Sequence, residues 1–151
     1  MKAEKISFDF SRVIARSRKV ASQLSSGISH LMKKNKIDVI TGVAKVKPGK
    51  KVDVTADGKT TTYDAKHIIL ATGARSRQLP NLPIDGKKII GYREALVLPK
   101  LPKSMVVVGS GAIGSEFAYF YATMGTKVTL VEFMPAIVPV EDAEVSKQLE
   151  R

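Results

Sequence analysis

Met105-Val106-Val107-Val108-Gly109-Ser110-Gly111-Ala112-Ile113-Gly114 is the stretch that decides how this chain reads. Residues 105–108 are short, continuously apolar and rich in valine, which suits a parallel strand buried on both faces. Three glycines then follow at fixed spacing, and a helical pattern opens at once. Each glycine has a separate task. Gly109 permits the tight turn out of the strand, Gly111 lets an anionic ligand approach the backbone, and Gly114 lets helix and strands pack closely. The helix is expected over 112–124, with Phe117, Ala118, Tyr121 and Ala122 facing inward and Gly125 as its stop. Its first amides lack internal acceptors and point toward an anion.

A second apolar run, 127–131, reads as the next parallel strand, laid beside the first by a right-handed crossover. Glu132 closes it, 18 residues past Gly114. A carboxylate there can accept from both hydroxyls of an adenosine ribose and repels a 2′-phosphate, which favours NAD over NADP. Glycines alone specify little, since glycine makes up about 7% of residues in general. Strand, glycines, helix, strand and acid in this order specify a dinucleotide-binding turn.

Working backward from the turn, residues 74–104 carry Pro80, Pro83, Pro99 and Pro102 and read as a crossing segment with a helical turn over 93–97. Residues 67–71 are apolar and read as a buried strand ending at Thr72-Gly73. Four β-prone pieces precede it, 38–41, 44–47, 52–55 and 60–63. Pro48-Gly49 and Asp57-Gly58 stand between the later ones, so an antiparallel meander is expected. Asp9 can cap a helix over 10–35, whose apolar stripe includes Phe10, Val13, Ile14, Val20, Leu24, Ile28 and Leu31. That stripe reads as a packing face, with Gly27 weakening its middle and His30 at the surface. Residues 1–8 read as a lead-in. Forward of the turn, the chain is loop-like from Phe133 and begins a helix at 142–151.

The whole chain has 151 residues, 44% of them hydrophobic and 26% charged, a globular composition. It contains no cysteine, which excludes disulfides, thiolate metal sites and a thiol nucleophile within it. The formal net charge is +11, but the basic residues are dispersed and no aromatic-interleaved basic motif occurs, so nucleic acid is an unfavoured partner. No apolar run approaches a membrane span and no signal-peptide pattern opens the chain. A cytoplasmic or organelle-lumen setting is expected. Only two of the three parallel strands of a mononucleotide-binding half are found, so the chain is expected to be a piece of a larger protein.

These residues resemble the dihydrolipoamide dehydrogenases, within the flavoprotein pyridine nucleotide-disulfide reductases. The resemblance runs through Ser26-Gly27-Ile28-Ser29-His30-Leu31, the meander after Gly42, Ile69-Leu70-Ala71-Thr72-Gly73-Ala74, the glycine turn to Glu116, Val131-Glu132-Phe133, and Glu144-Val145-Ser146-Lys147. It implies an α/β fold: a partial FAD-binding domain (long helix plus β-meander), then the first βαβ of a Rossmann-type NAD-binding domain. The implied divisions are 1–74, a linker at 75–104, and 105–151. For NAD it implies Gly109, Ser110, Gly111, Ala112, Ile113 and Gly114 at the pyrophosphate turn. Ile113 would lie near the nicotinamide and flavin rings, Glu116 at the carboxamide and Glu132 at the ribose. For FAD it implies the backbone of Ala44, Thr72, Gly73 and Ala74. The implied partners are the lipoyl-bearing component of 2-oxoacid dehydrogenase complexes and a second copy of the same protein.

The family's redox cysteines, its first glycine turn, its dimerisation domain and its His–Glu pair have no counterpart here, so no catalytic residue is assigned. The implied activity is oxidation of dihydrolipoyl groups with hydride transfer to NAD, with this segment inactive alone. The competing readings are another reductase of the group, and a non-catalytic nucleotide- or nucleic-acid-binding module. Glu132 argues against an NADP-linked reductase such as glutathione reductase.

Overall fold

A computed structural model describes residues 7–151. Its contacts form two compact units, Met1–Ser17 with Tyr92–Arg151, and Arg18–Gly91. Six residues of the expected lead-in lie outside the described residues. The first helix, α1 (Phe10–Lys34), begins where the sequence says it should. Asp9 caps it: one carboxylate oxygen accepts from the Ser11 amide at 2.9 Å and from the Ser11 hydroxyl at 2.7 Å. These hydrogen bonds, led by that to Ser11, hold the Asp9 carboxyl below its usual range. The helix runs through Gly27 without a break.

Within Arg18–Gly91 the meander forms as expected. Strands β1 (Val43–Lys47), β2 (Lys51–Ala56) and β3 (Lys59–Asp64) pair antiparallel in that order. Ala56 pairs with Lys59 across a two-residue loop, and both loop residues, Asp57 and Gly58, have positive φ (49° and 75°). That is the twist-matched hairpin turn, and Asp-Gly is suited to it. Cross-strand polar pairs lace the sheet: Thr55 with Thr60 at 2.8 Å, and the Thr62 hydroxyl on Asp53 at 2.7 Å.

Three expectations in this unit fail. Residues 38–41 and 67–71 are not strands. Both carry the right residue types, but a strand exists only through its ladder bonds, and neither segment has a ladder partner among the described residues. Ile69 is 90% exposed rather than buried. The apolar stripe of α1 is also largely uncovered, with Leu24 66% and Ile28 57% exposed. Periodicity identified the helix and its apolar face correctly, but not a covering surface.

The other unit holds the βαβ. After α2 (Tyr92–Ala95), strand β4 (Ser104–Val108) leads through the glycine turn into α3 (Ala112–Thr123) and back along β5 (Lys127–Val131). β4 and β5 pair parallel, with Ser104 opposite Lys127 and Val108 opposite Val131. Burial along both strands alternates instead of being continuous: Met105 and Val107 are half-buried, while Val106 is 65% exposed. One sheet face is covered, not two. Met124 caps α3, and Gly125 turns the chain at φ 96°. The inward face of α3 comprises Phe117, Ala118, Phe120 and Tyr121; Ala122, expected inside, is exposed.

Tyr121 is the centre of this unit's core, with no exposed surface. Its ring meets Phe120 edge-on at 5.1 Å and packs with Phe10 and Phe117 at 6.2 and 6.4 Å. Its hydroxyl donates to the Ala95 carbonyl at 2.6 Å, so the buried oxygen is not orphaned. Burial raises its pKa above the ordinary phenol value. Beyond β5 the chain passes through Val138, buried with φ 41°, and enters α4 (Ala143–Glu150), capped by Asp142 on the Glu144 amide at 2.8 Å.

Candidate functional site

The register of β4 and β5 builds the site. Because Val108 lies opposite Val131, the residues that leave the two strands, Gly109 and Glu132, emerge side by side at the carboxyl ends. Open α/β sheets bind ligands at that edge. The ladder extends one bond further, the Gly109 amide donating to the Val131 carbonyl at 2.8 Å. Gly109 then turns at φ 99°, a conformation that costs most residues strain. Gly114 is required by contact instead. A Cβ there would lie 1.9 Å from the Gly109 carbonyl oxygen, far inside van der Waals distance. Helix α3 can start against the end of β4 only because that atom is missing. At Gly111 a Cβ would meet nothing within 4 Å, so the space beside this backbone is open.

Glu132 is engaged more heavily than its spacing suggests. One carboxylate oxygen accepts from the Ser110 amide at 2.7 Å and the Ser110 hydroxyl at 2.8 Å. The other accepts from the amides of Phe133 and Met134 at 2.8 and 2.9 Å. These four donors, the Met134 amide foremost, lower its pKa to about 2 despite some desolvation. The group is therefore an anion across the physiological range, fixed in direction by its own chain.

Ser110 is the hub of the turn. It is fully buried, so its side chain does not line the ligand-facing surface. Its carbonyl accepts from the Ser115 hydroxyl and the Val138 amide, both at 3.0 Å. The Ser146 hydroxyl in turn donates to the Val138 carbonyl at 3.2 Å. One hydrogen-bonded path thus runs from Glu132 through the turn and the 133–142 loop to α4. Sequence reasoning assigned no role in the site to Val138 or Ser146. The backbone conformation of a valine and the partner of a lone helical serine leave no signature in residue order.

The remaining expected residues are placed as follows. Ala112, Ile113 and Glu116 occupy the first turn and a half of α3. Ile113 and Glu116 stand three apart, hence on one face, and both are exposed. Ala44 pairs with Val54 in the meander and is exposed. Thr72, Gly73 and Ala74 lie in an exposed coil, with Gly73 at φ 73°. Among the described residues, no cluster of three or more His, Asp or Glu side chains could hold a metal ion.

Comparison with known proteins gives a consistent result. The family model described as pyridine nucleotide-disulphide oxidoreductase matches residues 2–151. A dihydrolipoyl dehydrogenase of Zymomonas mobilis is 52% identical over 140 residues, covering 92% of this chain and 30% of its own length. One from Chlorobaculum tepidum is 51% identical over 147 residues, covering 97% of this chain and 31% of its own. The crystal structure of LpdA from Mycobacterium tuberculosis superposes with a TM-score of 0.86 at 31% identity, covering 96% of this chain and 33% of that one. The chain spans roughly three tenths of the length of these two curated relatives.

Proposed function

We propose a function from one premise: the chain belongs to the pyridine nucleotide-disulphide oxidoreductase family. It supplies part of the coenzyme sites of a dihydrolipoyl dehydrogenase, which oxidises protein-bound dihydrolipoyl groups and reduces NAD. Bound there, FAD and NAD would supply the redox chemistry, the means of carrying the two electrons of a dithiol away as a hydride. The contribution of this chain is to bind and orient. The open backbone at Gly111 and the first amides of α3 receive the pyrophosphate of the dinucleotide. Glu132 accepts from the adenosine ribose hydroxyls and repels a 2′-phosphate. Ile113 and Glu116, on one exposed face of α3, meet the nicotinamide end. Ala44 and the 72–74 coil contribute backbone to the FAD wall, a role that rests on the family resemblance.

The observation that carries this reading is the geometry of the glycine turn: α3 seated on the end of β4 by the missing Cβ of Gly114, open space beside the Gly111 backbone, and next to them a carboxylate held ionised far below neutral pH. Lipoyl-bearing components of 2-oxoacid dehydrogenase complexes are the proposed partners, with a second copy of the protein completing the enzyme. No described helix is long and apolar enough to cross a membrane, and a cytoplasmic or organelle-lumen setting is proposed. Titration of the 151-residue chain with NADH and NADPH tests the reading. NADH should bind more tightly, and Glu132→Arg should narrow the difference. Equal affinities in the unsubstituted chain, or a preference untouched by the substitution, would overturn it.

A further inference from the structure

We propose that Ser110 is a positioning residue that sets the coenzyme choice through Glu132, without touching the coenzyme itself. The inference deepens the NAD reading above and rests on it. Ser110 has no exposed surface. Its amide and hydroxyl both donate to the same oxygen of Glu132, at 2.7 and 2.8 Å. These donors approach from the protein interior, whereas Glu132 itself is half-exposed. A ribose arriving from solvent therefore meets the outer edge of a carboxylate already clamped from behind.

The clamp acts on two ligands in opposite directions. A ribose diol gains from an acceptor whose orientation is fixed before binding, because no side-chain freedom is lost on contact. A 2′-phosphate loses most against a negative charge that cannot swing aside. Both effects weaken if the carboxylate can rotate. Of the four donors on Glu132, three are backbone amides that every residue type offers. The Ser110 hydroxyl is the side-chain donor among them, so it is the part of the clamp that residue identity decides. Its carbonyl, held by Ser115 and Val138, keeps the serine itself from moving.

The test compares the chain with its Ser110→Ala and Ser110→Cys variants, the second retaining side-chain size with a weak donor. Thr126→Ala serves as a control, since it removes another buried hydroxyl clasp, Thr126 to the Pro102 carbonyl at 2.8 Å, away from Glu132. Two quantities are read: the ratio of NADH to NADPH affinity, and the titration of the Glu132 carboxyl by carbon-13 NMR, which needs no ligand. Loss of one hydrogen bond to a charged group is expected to narrow the ratio roughly tenfold. The carboxyl should titrate at higher pH in both Ser110 variants, and the control should alter neither quantity. A ratio of NADH to NADPH affinity unchanged in both Ser110 variants would overturn this proposal and leave the NAD reading intact. A Glu132 that titrates at the ordinary carboxylate value in the unsubstituted chain would overturn it as well. If the unsubstituted chain shows no preference, the NAD reading itself fails and this inference with it.

Discussion

The 109–114 turn and the 72–74 coil carry similar residues: each follows an apolar run, each contains glycine at positive φ, and each is proposed to meet a cofactor. Their structures differ sharply. The turn is closed by its neighbours, with Ser110 buried under Glu132 and Gly114 against the Gly109 carbonyl. The coil is exposed throughout, its preceding residues make no ladder, and a Cβ on Gly73 would meet nothing within 4 Å. A glycine motif becomes a defined cradle when the same unit supplies its hydrogen-bond partners. Where it does not, the residue types alone leave the backbone open.

The sharpest way to break this comparison is to make the same substitution in both segments. Gly114→Ala forces a Cβ onto a carbonyl, and the helix must move away from β4. We expect about 3 kcal/mol or more of lost stability in denaturant titration. Loss of less than about 1 kcal/mol would mean that the seat of α3 is far softer than described. Tyr121→Phe comes next. It leaves the Ala95 carbonyl without its 2.6 Å donor beneath the helix, at a cost of about 1–2 kcal/mol by the same measurement.

Acid should separate the two segments through Glu132. Its folded-state pKa, about 2, lies below its unfolded value, so its contribution to stability is complete above the usual glutamate range. That contribution fades as pH falls from there toward 2. The protection factor of the Ser110 amide, its exchange relative to an unstructured amide at the same pH, should fall over the same interval, whereas Glu132→Gln removes this dependence and residues 72–74 stay unprotected throughout. Gly73→Ala is the smallest change. Its only penalty is left-handed backbone, about 1 kcal/mol, and an open coil can relax part of that. A larger loss would show that the coil is held by contacts the structure does not contain.

What could be read from residue order follows the same division. The helix beginning at Asp9, the Asp57-Gly58 hairpin, the glycine turn and the stop at Gly125 are local events, decided by a cap or a φ preference within a few residues. The strands expected at 38–41 and 67–71 depend on partners elsewhere, and apolar β-branched residues cannot report whether a partner is present. The same holds for Val106, whose type suits burial but whose face of the sheet is open. At the site, spacing correctly brought Glu132 beside the turn. It could not reveal that Ser110, one residue inside the glycine motif, holds that carboxylate. Nor could it reveal that Val138 and Ser146 extend the network, since those contacts span 28 and 8 residues.

The far end of α3 has a mechanical consequence. Three residues separate Thr123 from the start of β5, and Thr126 is tied there twice, its amide to the Tyr121 carbonyl at 3.0 Å and its hydroxyl to the Pro102 carbonyl at 2.8 Å. A rod tethered this closely at one end resists sliding along the sheet. With its other end seated at Gly114 against the Gly109 carbonyl and tied by the Ser115 hydroxyl to the Ser110 carbonyl, the helix is pinned near both ends and presents Ile113 and Glu116 as a fixed strut.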